Sequence, residues 1–179
     1  MRKETLLLSI GLLLASPDAE AGALHDAARK GDVAGIIAAL DAGADVNEYD
    51  GQATPLNHAV RLGRFNAARV LIERGASVND ATIYWGDSLM MATQKTRIDL
   101  IRLLLANGAI ANTTHNGEGV IHVAAKLGCL DCVKALVEAG ADVNAETYEI
   151  MDCTSNRTPL HLATLYGFPA IASYLLAHG

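Results

Sequence analysis

Apolar residues recur at helical spacing along the chain from about residue 22 onward. Each such stretch has one apolar face and is followed by a glycine, which readily adopts left-handed backbone angles, so it predicts a short amphipathic helix. Adjacent apolar residues mark the same place in successive stretches: Leu40, Leu71 and Ile72, Leu104 and Leu105, Leu136 and Val137, and Leu175 and Leu176.

A second short helix is predicted upstream of each of these. It opens with Thr54-Pro55-Leu56 in one copy and with Thr158-Pro159-Leu160-His161 in another. Proline at the first helical position after a capping threonine is typical of a helix start. The predicted unit is therefore helix, tight turn, helix and loop. Two such helices cannot bury their apolar faces alone, so neighbouring units must stack.

The unit repeats at a nearly fixed period. Residues 43–47 read Gly-Ala-Asp-Val-Asn, and near copies occupy 75–79, 108–112 and 140–144, with first glycines 32, 33 and 32 residues apart. A second marker lies twelve residues before each copy and before the final glycine: Gly31, Gly63, Thr96, Gly128 and Gly167.

The pattern T-P-L-H-x-A-A-x-x-G, a second helix and then G-A-D-V-N resembles the ankyrin repeat. Residues 158–167 and 119–144 match it most closely, and the resemblance covers the chain from about Gly22 to Gly179. It implies an all-α solenoid of stacked helix-turn-helix units with projecting β-hairpin-like finger loops. The expected repeats are about 22–50, 51–83, 84–115, 116–154 and 155–179.

Two places depart from the pattern. Thr96 stands where the other copies have glycine, and a β-branched residue is strained at positive φ, so we expect the turn there to be rebuilt. Between Asn144 and Thr158 the chain has six or seven extra residues. We expect this insertion to lengthen the fourth finger without disturbing the core.

The first 21 residues are typical of a secretory signal. Arg2 and Lys3 precede the apolar run 6–15, and the small-residue triplet 19–21 predicts cleavage after Ala21. A buried first helix is the alternative. No later segment has the 18 or more apolar residues of a membrane span, so no stable span is expected after cleavage.

Composition and charge limit the fold classes and functions that are possible for this chain. The chain is 51% apolar but only 4% aromatic, which suits helix packing better than a β-sandwich. A formal net charge of −6 disfavours a nucleic-acid partner, because binding phosphates requires a dominant field of Lys and Arg.

No motif for catalysis, cofactor or metal is evident, so we expect no enzyme. The repeat frame assigns Cys132 to the core column of Leu100 and Ile171, which favours a small buried hydrophobe. A local bond from Cys129 to Cys132 is the alternative, whereas pairing of Cys129 with Cys153 is not expected. His25, His122 and His161 share one repeat position, where the resemblance implies structural rings that bridge neighbouring repeats.

Two sets of residues are expected to bind a protein partner in the concave groove. The finger loops carry rings that we expect core packing not to explain: Tyr49, Tyr84, Trp85, His115 and Tyr148. The ends of the first helices form a basic ladder, for which favourable placement of cations at helix C-termini is the alternative explanation: Arg29, Lys30, Arg61, Gln94, Lys95 and Lys126, ending in Tyr166.

The remaining expectations concern location and assembly. The signal and the resemblance together predict a periplasmic or secreted scaffold of a Gram-negative bacterium. Alternatives are a secreted effector that occupies host proteins, an immunity-type protein that neutralises a toxin, and an intracellular protein with an unprocessed N-terminus. Leu165, Tyr174 and Leu176 in the last repeat suggest a homodimer or a partner contact there.

Overall fold

The computed structural model describes residues 17–148 and 156–179, with side chains from residue 22 onward. In that part of the chain ten short helices follow one another as five pairs, which confirms the predicted helix-turn-helix unit. The helices are α1 (Pro17–Lys30), α2 (Val33–Asp41), α3 (Pro55–Arg61), α4 (Phe65–Glu73), α5 (Ser88–Gln94), α6 (Ile98–Ala106), α7 (Val120–Lys126), α8 (Leu130–Glu138), α9 (Pro159–Leu165) and α10 (Pro169–His178).

The helices form two layers. The first helices of the pairs (α1, α3, α5, α7 and α9) pack against one another in chain order, and the second helices (α2, α4, α6, α8 and α10) do the same. Each first helix also packs against its own second helix. The architecture is thus a linear all-α stack in which each unit contacts its neighbours, as the sequence predicts.

Small residues let the layers approach closely. Ala59, Ala92, Ala124 and Ala163 occupy one position in α3, α5, α7 and α9, and all four are fully buried. Larger side chains fill the space between the layers, and each additional buried methylene contributes about 0.8 kcal/mol. Fully or almost fully buried examples are Leu56, Leu71, Leu89, Leu100, Leu104, Leu136 and Ile171.

Helix starts follow the sequence signals. The Thr54 hydroxyl accepts a hydrogen bond from the Asn57 amide at 3.3 Å, with Pro55 at the first helical position. In the third unit the carboxylate of Asp87 takes the same role and accepts from the Met90 amide at 2.7 Å. Capping therefore persists where the threonine is missing.

The turn at Thr96 is not rebuilt, which corrects the sequence expectation. Thr96 adopts the left-handed conformation itself, with φ of 51°, as Gly63 does with φ of 68°. The amides of Thr96 and Arg97 make the same two turn hydrogen bonds (2.9 and 3.0 Å) as those of Gly63 and Arg64 (2.9 and 2.8 Å). These two hydrogen bonds and the packing of the helices on either side stabilise the turn by more than the backbone strain at Thr96 destabilises it.

Asparagine side chains link each unit to the next. Asn79 donates to the Gly108 carbonyl at 3.1 Å and accepts from the Ile110 amide at 3.0 Å. Asn47 and Asn112 make the equivalent pairs of hydrogen bonds one unit earlier and one unit later. The asparagine that ends the G-A-D-V-N pattern therefore links successive units through two hydrogen bonds.

The loops between units project as fingers. The second finger is closed by a hydrogen bond from the Thr82 amide to the Gly86 carbonyl at 2.8 Å. The third is a hairpin of β1 (Thr114–His115) and β2 (Glu118–Gly119). At the base of the fourth, the Thr147 amide donates to the Arg157 carbonyl at 3.0 Å; the insertion between them, residues 149–155 with Cys153, lies outside the described residues.

The N-terminal prediction concerns mostly residues outside the described part. Helix α1 begins at Pro17, so it runs across the predicted cleavage site after Ala21. None of the helices described is long and apolar enough to cross a membrane.

Candidate protein-binding face

The face under consideration is formed by the C-terminal ends of α3, α5 and α7 and the fingers beside them. Arg61 and Lys126 are the last residues of α3 and α7, whereas Lys95 and Tyr166 are the caps that follow α5 and α9. The residues of the predicted basic ladder thus lie at two successive repeat positions, the last helical residue and the cap that follows it, and not at one equivalent position.

A crevice opens on this face between α3 and α5. Its volume is about 160 Å³. Four residues that the sequence analysis assigns to partner binding line it together with Met91: Arg61, Trp85, Gln94 and Lys95. The structure therefore brings together part of the ladder and part of the second finger, which the sequence treated as separate sets.

The centre of the crevice is a stacked pair of side chains. The Arg61 guanidinium lies 4.8 Å from the centroid of the Trp85 ring, a cation–π contact. The Tyr84 ring lies 6.0 Å from the Trp85 ring in a tilted arrangement. Trp85 is half-buried and packs against the core, so core packing explains part of this ring and the sequence expectation for Trp85 is corrected.

Two strongly exposed tyrosines project from the second and fourth fingers. The Tyr84 and Tyr148 side chains are 71% and 72% exposed, and Tyr49 is 48% exposed in the first finger. Hydrogen bonds hold the backbones of Tyr84 and Tyr148 in place. Nε2 of the half-buried His115 lies 3.2 Å from the Tyr84 carbonyl oxygen, and the Tyr148 amide donates to the Gly117 carbonyl at 2.8 Å.

Gly117 makes the contact with Tyr148 sterically feasible. It has φ of +79°, and a Cβ placed there would overlap the Tyr148 carbonyl. The position therefore requires glycine both for its backbone angle and for the close approach.

Two cations of the ladder are already paired within the chain. Arg29 bonds to Asp50 and, at 3.0 Å, to Asp26. The Lys126 ammonium lies 2.9 Å from a Glu118 carboxylate oxygen. Lys95 is exposed and forms no salt bridge with any residue that the structure describes.

Asp50 also meets a buried histidine, which sequence reasoning missed. The His58 ring in α3 is fully buried, and its Nε2 lies 2.8 Å from Asp50 Oδ2 and 3.0 Å from the Arg29 guanidinium. A signal existed, since His58 directly follows the T-P-L-x histidine position. The pairing depends on how α1 and α3 are aligned, and no spacing in the sequence gives that.

Opposing effects act on both pKa values. Burial lowers the pKa of His58 below its ordinary value of 6.5; the Asp50 hydrogen bond opposes this, and the Arg29 charge adds to it. Burial alone would raise the pKa of Asp50, but hydrogen bonds from the Ala53 amide and the His58 ring hold it well below its usual range. Asp50 is therefore a charged acceptor, and Nε2 of a neutral His58 donates to it.

The predicted structural histidines behave as expected in two of three cases. His25 Nε2 lies 3.0 Å from the Glu48 carbonyl, and His122 Nε2 lies 2.9 Å from the Ala145 carbonyl, so each ring holds the loop that leads to the next pair. His161 is exposed, and the hydrogen bonds found for its ring within the described residues go to Thr158 of its own pair, so bridging by this ring stays a prediction.

Cys129 and Cys132 are joined by a disulfide, with their Cα atoms 5.2 Å apart. Cys132 is fully buried in the column of Leu100 and Ile171, as the repeat frame predicts. The preference for an unbonded buried thiol is corrected, because a core position and a bond to the preceding turn are compatible. In the described chain no cluster of three or more His, Cys, Asp or Glu could hold a metal.

Two other surface features were found. A cavity of about 230 Å³ lies between the third and fourth fingers, where Thr113 Oγ1 is buried without a hydrogen-bond partner among the described residues. At the C-terminal end Leu165 and Leu176 are exposed, as the sequence predicts for the last unit, while Tyr174 stacks on His178 with ring centroids 4.0 Å apart.

Stacked helix pairs with capped first helices, left-handed turns and projecting fingers define a helical repeat solenoid with a surface for recognition. The family model described as "Ankyrin repeats (3 copies)" matches residues 6–82 and 89–179. The chain belongs to the ankyrin-repeat family. The description of that family model names three copies, whereas the described residues contain five helix pairs. The count of five ankyrin repeats therefore stays a prediction.

Several ankyrin proteins are similar in sequence. Human ankyrin repeat and SOCS box protein 16 is 38% identical over 117 residues, which is 65% of this chain and 24% of that protein. The mouse B-cell lymphoma 3 protein homolog is 35% identical over 121 residues, covering 66% and 25%. A putative ankyrin repeat protein of Rickettsia felis is 34% identical over 102 residues, covering 52% and 45%. The chain thus spans a quarter to under half of these relatives.

Proposed function

We propose that the chain is a non-catalytic module that holds a protein partner on the face formed by the first-helix ends and the fingers. Ankyrin repeats are protein–protein interaction modules. The observation that carries the proposal is the pair Tyr84 and Tyr148, both more than two-thirds exposed on loops whose backbones are hydrogen-bonded in place. Exposed aromatic rings on held loops offer contact area at a small cost in conformational entropy.

The test is affinity capture from the native compartment with residues 22–179 as bait. Tyr84→Ala and Tyr148→Ala remove exposed rings, and Ile110→Ala is the matched control, because Ile110 is 56% exposed but lies outside the finger tips. We expect a protein retained equally by the native sequence and the control, and about tenfold less by each tyrosine variant. Equal retention by all four would contradict the proposal.

Trp85 is unsuited to that experiment as a single probe. Since it packs against the core and under Arg61, its replacement by alanine would lower stability as well as remove a contact surface. The single tyrosine variants are therefore used instead of a joint change of Tyr84 and Trp85.

Export to the periplasm or beyond the cell, in a Gram-negative bacterium, is part of the proposal. It is supported by the signal-like residues 1–21 and by the Cys129–Cys132 disulfide, since disulfides persist mainly in oxidising compartments. N-terminal sequencing should begin at Gly22; a chain beginning at Met1 would contradict export. Retention in the periplasm would exclude the secreted-effector alternative, and capture of a toxin would favour the immunity-type alternative.

A homodimer through the last unit is proposed on the exposure of Leu165 and Leu176. Light scattering of the purified chain tests it, and a strict monomer would contradict it.

A further inference from the structure

The crevice between α3 and α5 contains two cationic side chains with no carboxylate of their own. Among the residues that the structure describes, the side chains of Arg61 and Lys95 form neither a salt bridge nor a hydrogen bond, and Nε of Arg61 is buried without a partner. A buried guanidinium N–H without an acceptor is unfavourable, because it has lost water and gained nothing in return.

In the first and fourth helix pairs the cation at the end of the first helix is paired with a carboxylate. The residue equivalent to Arg61 in α1 is Arg29, which is paired with Asp50 from the loop before α3. In α7 it is Lys126, paired with Glu118 from the loop before that helix. At both places a carboxylate from an adjacent loop meets the cation at the end of a first helix.

The loop before α5 supplies no such carboxylate to Arg61. It supplies Trp85, which covers one face of the guanidinium at 4.8 Å. Both acids of this loop have other partners: Asp80 accepts from the Ser77 hydroxyl at 2.8 Å, and Asp87 caps the helix, where it accepts from the Met90 amide at 2.7 Å. The second helix pair therefore has a cation at the end of its first helix, as the first and fourth pairs do, but the Trp85 ring lies against this cation instead of a carboxylate.

This geometry favours a particular ligand group. A guanidinium stacked on an aromatic ring is covered on one face, and its N–H groups donate in the plane of the group, where a carboxylate can accept two of them. Lys95 lines the same crevice and adds a second positive charge, while Met91 and Trp85 provide apolar walls. Because the whole chain carries a net charge of −6, this local positive crevice would select for a short acidic contact at this one place.

We propose that the crevice formed by Arg61, Trp85, Met91, Gln94 and Lys95 receives the carboxylate side chain of an Asp or Glu in an exposed segment of the protein partner. The inference rests on the proposed function, since it names the partner group for one part of the same face. The partner's carboxylate supplies to Arg61 the negative charge that Asp50 supplies to Arg29 and Glu118 supplies to Lys126.

The test uses synthetic peptides as probes. Two pools of amidated dodecapeptides are passed over immobilised residues 22–179. Their flanking positions are random but exclude Asp and Glu, and the central residue is Glu in one pool and Gln in the other. We expect the Glu pool to be retained about tenfold more than the Gln pool, because hydrogen bonds to an ionised carboxylate are stronger than those to a neutral amide. The preference should shrink as NaCl is raised.

Arg61→Gln and Lys95→Gln should each reduce the preference for Glu, and the double variant should abolish it. Arg102→Gln is the matched control, because Arg102 is an exposed arginine of α6 that loses the same charge elsewhere. Far-ultraviolet circular dichroism and the thermal melt check that each variant folds. A folded double variant that still prefers the Glu pool overturns the inference, as does equal retention of both pools by the native sequence.

The partner itself separates this inference from the proposed function. If capture succeeds and depends on Tyr84 but not on Arg61 or Lys95, the proposed function stands and the acidic contact is refuted. If neither partner nor peptide is retained, both fail. Retention of single-stranded poly(U) RNA in preference to the Glu pool would also overturn the inference, because phosphate would then be the group bound.

Discussion

His58 donates a hydrogen bond from Nε2 to Asp50 across 2.8 Å, and the opposite ring nitrogen, Nδ1, is buried with no partner among the described residues. Protonation would place a hydrogen on Nδ1 where nothing accepts it. This geometry agrees with the direction in which burial moves the pKa of His58.

We expect the free energy of unfolding to fall as the pH is lowered from 7 to 5. The folded pKa values of His58 and His122 are both lowered, chiefly by burial, from 6.5, so the unfolded chain binds more protons in this range. Above about pH 6.5 both rings are neutral in the folded and the unfolded chain, so the free energy of unfolding is not reduced. It decreases as the pH falls below that value, because the unfolded chain takes up protons first. Urea titrations at several pH values measure this, and His58→Gln should flatten the dependence in part. A native profile that rises toward pH 5 would contradict the assignment.

The disulfide gives a prediction that can be counted. In denaturant without reductant, the exported chain should show one reactive thiol, Cys153, and after reduction it should show three. Because the bond closes a loop of four residues, its loss should cost no more than about 2 kcal/mol of stability. Cys129→Ser leaves the buried Cys132 in place and should make the urea midpoint insensitive to reductant. Three thiols without reductant would refute the bond.

Thr96→Gly should stabilise the chain by about 1 kcal/mol, because glycine adopts the positive φ of this turn without the penalty of a β-branched side chain. The reverse change, Gly63→Thr, is the matched control. It adds strain at φ of 68° and places a side chain against Arg97, so it should lower the melting temperature. If Thr96→Gly lowered stability, the threonine would have to make a contribution beyond its turn hydrogen bonds.

Asn79→Ala should lower the free energy of unfolding by about 1–3 kcal/mol, because it removes both hydrogen bonds to the next unit and leaves the Ile110 amide without its acceptor. Asn66→Ala in α4, an exposed asparagine, serves as the control and should change it by less than about 0.5 kcal/mol. Chemical denaturation compares the two. Equal effects would mean that the tie between units contributes little.

Periodicity explains why most of the fold could be predicted. The apolar spacing, the T-P-L starts and the glycine markers each report local geometry, and each recurs often enough to establish the helix pairs. The error at Thr96 arose because residue preference was weighed alone. The turn is fixed by helices on both sides, and their packing energy exceeds the local penalty.

The candidate site was less predictable because it depends on contacts between units. Sequence reasoning identified Arg61 and Trp85 separately, but it could not show that one stacks on the other. It also missed the contact of Asp50 with His58, which lie eight residues apart on a loop and a helix. Such pairings follow from how side chains of adjacent units meet, and the repeat frame gives positions without giving rotamers.

The base of the fourth finger has a consequence for how this family member can change. The backbones of Thr147 and Arg157 are hydrogen-bonded to each other, so the two ends of the inserted segment are held side by side whatever the number of residues between them. The stack then places little restriction on that segment's length or sequence. A foreign peptide could therefore be grafted between Tyr148 and Arg157 with little effect on folding, because the hydrogen bond from the Tyr148 amide to the Gly117 carbonyl would be kept.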